Sequence, residues 1–184
     1  MKRACLVATV LLASTQLATA GGYAGLGIGT SPAISDDNDA LGAGSRSLRA
    51  LLGSRWNNFA LEGAFSGYEV SSVPGSSNRG TFDAYQASVA GKLSFPLGSG
   101  FEVFGRLGLQ RTWLNSSSAP AYAIYEVAGN GFLVGGGFEY RFSAGPAGAS
   151  VFVDYQVNHA KLSGEREEYD FTARGWTLGV TLGF

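Results

Sequence analysis

The sequence predicts an all-β fold, an eight-stranded antiparallel up-and-down transmembrane β-barrel. Three observations carry that expectation. Segments of about ten residues alternate apolar and polar side chains with period two. The connections between them alternate between short and long. The polar face of the alternation carries charges at mid-strand, where the dry core of a soluble sheet would avoid them. Helical periodicity is nearly missing, and 28 glycines are hostile to helix interiors.

The first residues point to export. Lys2 and Arg3 form a positive n-region, an apolar stretch too short to span a bilayer follows, and Ala18-Thr19-Ala20 gives an A-x-A cleavage pattern. Cleavage after Ala20 is expected, so residues 1–20 are read as a signal peptide and 21–184 as the barrel domain. Removing Lys2 and Arg3 moves the formal charge from −1 to −3. A mildly acidic chain lacks the basic excess that nucleic-acid binding needs. Cys5, the only cysteine, leaves with the leader, so neither a disulfide nor a thiolate metal site is expected. Beyond Ala20 no run approaches the roughly 18–20 apolar residues of a membrane helix, whereas a barrel strand needs only about 9–11.

The eight strands are read at 22–30, 43–54, 58–69, 81–95, 101–113, 130–142, 149–160 and 171–184. Short turns fall at 55–57, 96–100 and 143–148, and longer polar loops at 31–42, 70–80, 114–129 and 161–170. An even count places both chain ends on the short-turn, periplasmic side. Parity sets Phe101, Val103, Leu107 and Leu109 against Glu102, Arg106 and Gln110; Tyr85, Val89, Leu93 and Phe95 against Gln86, Ser88 and Lys92; and Phe132, Val134, Phe138 and Phe142 against Glu139 and Arg141. Val151, Val153 and Tyr155 oppose Asp154 and Gln156, and Trp176, Leu178, Val180, Leu182 and Phe184 oppose Thr177 and Thr181. The apolar face is aromatic where strands meet short turns. Phe59, Phe95, Phe101, Phe142 and Phe184 are expected to form the interfacial girdle of a lipid-facing surface.

Several short runs then resemble the transmembrane domain of the outer membrane protein A family. They are SRWNNFALEG at 54–63, AGKLSFPL at 90–97, FGRLG at 104–108, GGGFEY at 135–140, VDYQ at 153–156 and the segment 176–184 that ends in Phe184. The resemblance covers most of the chain after the leader. It implies an eight-stranded barrel with a polar, constricted interior, and a terminal strand read by the barrel-assembly machinery. It also implies a role in envelope integrity and in adhesion or host contact. Two departures stand out. Phe152 occupies the position, two before the acid of the seventh strand, where a basic residue is usual in the best-known members. Nothing follows Phe184, so the peptidoglycan-binding domain of larger members is not expected here.

The inward faces contribute Arg49, Glu62, Lys92, Glu102, Arg106, Glu139, Arg141 and Asp154. Four acids and four bases in a narrow lumen are expected to pair, because isolated charges there would be costly. An eight-stranded barrel is just wide enough for side chains to fill it. The expected outcome is a plug of ion pairs, with a small gated pore for ions or solutes as the alternative. A second alternative is a lipid A-modifying enzyme built on His159, the sole histidine, with Ser163 and Glu165. Spacing gives those three no triad geometry, so no catalytic residue is expected. The Asp36-Asp37-Asn38-Asp39 run lacks the glycine and distal glutamate of an EF-hand loop and reads as a solvated loop; no metal site and no cofactor are expected. Glycine clusters at 25–29 and 135–137 precede no helix and read as strand glycines. Expected partners are outer-membrane lipid and lipopolysaccharide, the assembly machinery, and a surface ligand at the long loops, of which 161–170 is the most highly charged.

Overall fold

The computed structural model describes residues 21–30, 33–36, 46–71, 81–116, 126–142, 148–163 and 168–184. The expected leader and cleavage site, Asp37–Asp39 and Glu165 lie outside them. The described residues form strands β1 (Gly21–Gly29), β2 (Ala33–Asp36), β3 (Ser47–Trp56), β4 (Phe59–Ser71), β5 (Thr81–Gly98), β6 (Phe101–Ser116), β7 (Glu126–Arg141), β8 (Ala149–Ser163) and β9 (Glu168–Gly183). Each pairs antiparallel with its sheet neighbours, and β1 pairs with both β3 and β9. The sheet thereby closes on itself. Closure satisfies the backbone groups that an open edge would leave bare in hydrocarbon.

The cylinder has eight staves, although nine strands are present. β1 runs along β9 from Tyr23↔Gly183 to Gly29↔Thr177, and β2 resumes beside the same strand at Ala33↔Arg174. The register slips by one residue between the two stretches. Segment 31–42 was expected to be loop throughout, and Ala33–Asp36 corrects that expectation. Strands also run further toward the long-loop end than alternation predicts. β6 continues to Ser116, β7 starts at Glu126, and β8 reaches Ser163. At the other end the turns are tight. Trp56 pairs with Phe59, so Arg55 belongs to β3 and the turn is Asn57-Asn58. Asn57 there adopts φ 53°, a left-handed conformation that Asn tolerates better than most residues. The β5–β6 turn uses positive φ at Gly98, Ser99 and Gly100.

Alternation sorts the two faces as the sequence predicts, and burial is inverted relative to a soluble protein. Leu26, Leu107 and Leu109 are 67%, 67% and 74% exposed, while Glu62, Lys92 and Asp154 are 4%, 3% and 0% exposed. On β6 the outward face is apolar from Phe101 to Leu109 and turns polar at Arg111. Eight residue steps of about 3.4 Å, tilted by about 40°, rise roughly 21 Å, close to the roughly 25 Å apolar band of outer-membrane barrels. Phe59, Phe95, Phe101, Phe142 and Phe184 all stand exposed on this outer face beside the short-turn end.

Candidate functional site in the barrel lumen

Inward-facing side chains form three layers. At the short-turn mouth, Arg55 of β3 and Arg141 of β7 converge on one carboxylate, Glu102 of β6. Arg55 Nη2 lies 2.8 Å from Glu102 Oε2, and Arg141 donates to Oε1. Arg55 and Arg141 line a polar vestibule of about 540 Å³ together with Tyr23, Asn57, Glu139, Ser150 and Thr181.

The middle layer is a continuous chain of charges. Lys92 donates to Glu139 and lies 3.7 Å from Glu62 Oε1. Arg106 donates through Nε to Glu62 Oε2 at 2.5 Å, and through Nη1 to Asp154. Arg49 Nη1 converges on the same Asp154 oxygen, 3.1 Å from Oδ2, and lies 3.3 Å from Oδ1. The Tyr23 hydroxyl donates to Glu62 at 2.5 Å, and Ser150 Oγ to Glu139 at 2.6 Å. Seven strands thus contribute to one network, from β1 and β3 through β4, β5, β6 and β7 to β8. Each carboxylate meets at least two donors, which is the condition under which enclosed charges are tolerated.

Apolar groups fill the gaps between these charges. Phe104 lies under both cations, its ring centroid 4.3 Å from Lys92 Nζ and 4.7 Å from Arg106 Cζ, a spacing suited to cation–π attraction. Phe152 projects inward and packs with Phe104 and Leu51. Its ring lies against Gly179 and Gly27, and a Cβ on Gly179 would collide with it. The glycines on β1 and β9 therefore make room for an aromatic ring. Toward the loop end follow Gln86, whose amide donates to the Tyr68 hydroxyl at 3.2 Å, and Gln156, which donates to Asn158 at 2.7 Å. An apolar cluster of Tyr68, Ala84, Ala160, Leu162, Phe171 and Ala173 lies beyond them. Among the described residues, two small cavities lie inside. One of about 10 Å³ lies among Arg49, Glu62 and Arg106, and one of about 30 Å³ lies beside Tyr68, Gln156 and Thr177. A single water needs about 10–15 Å³ of such space.

A family model described as "Outer membrane protein beta-barrel domain" matches residues 4–184. The chain belongs to the outer membrane protein β-barrel family. Its fold is similar to that of Neisserial surface protein A (NspA), with TM-score 0.69 and 15% identity over 89% of this chain and 97% of that one. Ail, the attachment invasion locus protein of Yersinia pestis, solved in complex with the heparin analogue sucrose octasulfate, matches with TM-score 0.57 and 16% identity over 90% and 99%. The outer membrane protein OprG of Pseudomonas aeruginosa matches with TM-score 0.56 and 12% identity over 90% and 96%. No curated protein is significantly similar in sequence. Like the rest of this barrel family, the chain is an integral protein of the Gram-negative outer membrane, so the short-turn end faces the periplasm.

In this outer-membrane barrel the eight charged residues expected inside all face the lumen, six in the middle layer and Glu102 and Arg141 at the mouth. The expected balance of four acids against four bases needs correction. Arg55, assigned to a turn from sequence, is a fifth lumen cation. Tyr23, Phe104 and Phe152 were also left out of the expected network. Their parity with Gly25, Glu102 and Asp154 was the available signal. His159 faces outward, lies tilted against Phe132 with ring centroids 5.2 Å apart, and is 3.0 Å from Thr172 Oγ1. Residues 161–164 were expected to be loop, yet β8 runs through Ser163. Ser163 is four residues along the strand from His159, roughly 13 Å away, beyond hydrogen-bond reach.

Proposed function

We propose that this chain is a sealed outer-membrane barrel with a structural and surface-interaction role, neither a free-running pore nor an enzyme. The observation that carries the reading is the filled middle of the lumen. Its charges are matched to one another, Phe104, Phe152 and Leu51 occupy the space between them, and the remaining cavities are about 10 and 30 Å³. A hydrated ion path needs a continuous file of such spaces. Surface contact falls to the loops between β4 and β5, β6 and β7, and β8 and β9, because loops on a rigid scaffold are where partners bind. Attachment by the similarly folded Ail and the surface placement named for NspA are in keeping with that role.

Planar-bilayer recording of the refolded protein tests this reading. No steady conductance is expected from the parent, and a stable open level in most insertions would overturn it. The 540 Å³ vestibule is the feature that favours the second reading, a gated passage. On that reading Glu62, Lys92, Arg106 and Glu139 form the gate, and Lys92→Ala should raise conductance well above the parent's. Absence of catalysis is supported by the outward, lipid-level position of His159. Lipid A mass spectra should be the same with the parent and with His159→Ala. The strand ending in Phe184 is proposed as the signal for the assembly machinery, and Phe184→Ala should slow insertion in cells without altering refolding into detergent.

A further inference from the structure

The outer face of the barrel is not electrically uniform above its apolar band. On β6, β7 and β8 a polar row crosses three adjacent strands in register, as Arg111 pairs with Asn130 and Asn130 with Lys161. All three side chains are exposed. Arg111 Nη1 donates to Asn130 Oδ1 at 3.4 Å, and its guanidinium lies 5.7 Å from the Trp113 ring. Among the described residues neither Arg111 nor Lys161 has an ion-pair partner. Asp170, which faces Lys161 across the ladder, is turned to His159 instead, 3.8 Å from Nε2. Directly below the row the surface is Leu109 and Phe132, then Leu107 and Val134. On β4 and β5 the equivalent positions above the apolar band are acidic, Glu69 beside Asp83.

We infer that Arg111, Asn130 and Lys161 form a binding site for the phosphate headgroup of an outer-leaflet lipid on the β6–β8 face of the barrel. Arg111 and Lys161 stand two ladder spacings apart, about 10 Å, and two long cationic side chains can close on one phosphate across that interval. Asn130 supplies an amide donor between them. The same lipid's acyl chains then lie down Leu109, Phe132 and Val134, so one amphiphile satisfies both the row and the surface beneath it. The occupant has phosphate at the membrane surface and several acyl chains, which is the chemistry of lipid A in lipopolysaccharide. The gain follows from the attraction of an anionic surface for each basic residue.

The test uses the barrel refolded in detergent, lipid A carrying its phosphates, and dephosphorylated lipid A, with bound lipid counted by native mass spectrometry. Arg111→Ala/Lys161→Ala should bind phosphorylated lipid A about thirtyfold less tightly than the parent. Glu69→Gln/Asp83→Asn and the charge-preserving Lys161→Arg should bind no less tightly than the parent. Heat-modifiable migration checks that each variant is folded. Equal binding by the parent and the Arg111/Lys161 double variant, or equal binding of the two lipids by the parent, would overturn the assignment.

Discussion

Asp154 is fully enclosed and accepts from two guanidiniums, those of Arg49 and Arg106. Replacing it with Ala removes the carboxylate that Arg49 pairs with and leaves Arg106 with Glu62 alone. Breaking an enclosed pair from one side costs about 3–5 kcal/mol. Asp154→Ala should therefore lower stability by that order in urea titrations of the vesicle-inserted barrel, whereas Arg141→Ala, at the wetter mouth, should cost about 1 kcal/mol or less. Phe152 is a separate case. Phe152→Ala removes a buried ring, and a cost of about 3–5 kcal/mol is expected. The variant also opens space beside Arg106, so transient conductance in planar bilayers should appear where the parent shows none. Residue parity made the charged half of this lumen legible, because a charge on one face of an alternating strand has no reading other than inward. It left Phe104 and Phe152 unread. An aromatic at a polar-face position looks like an error in the pattern until the glycines opposite it are seen to be its pocket.

At the scale of the strand, alternation is legible only where the bilayer enforces it. Leu107 of β6 is 67% exposed at mid-band, facing acyl chains. Leu107→Arg should impair insertion, since a charge there costs roughly 2–4 kcal/mol; loss of heat-modifiable migration is the readout, and normal migration would contradict the facing assignment. Above the band both faces of a strand meet water or polar headgroups, so the apolar–polar alternation fades while the hydrogen-bonded ladder continues. That is why the upper ends of β6, β7 and β8 and the whole of β2 read as loop in the sequence. The short-turn ends were placed better because tight turns carry their own chemistry, although Arg55 was assigned to the turn by its neighbour Asn57. Gly179 tests the inner wall. Gly179→Ala would press a methyl group into the Phe152 ring and to 2.6 Å from the Leu26 carbonyl oxygen. It should reduce refolding yield, and Phe152→Ala should restore only part of it because the backbone contact remains.

For the molecule as a whole, the fold and the membrane are two parts of one argument. A cylinder with oily walls and an ionic axis is stable only where fat surrounds it. The closing ladder adds a condition on how such an object is made. β1, near the beginning of the chain, finds one of its two neighbours in β9 at the very end. A nascent chain halted before residue 177 would have neither seam complete, leaving two rows of bare amides that hydrocarbon cannot solvate. Closure of the barrel therefore waits for β9. The seam between β1 and β9, which joins segments far apart in sequence, is the joint that completes the cylinder.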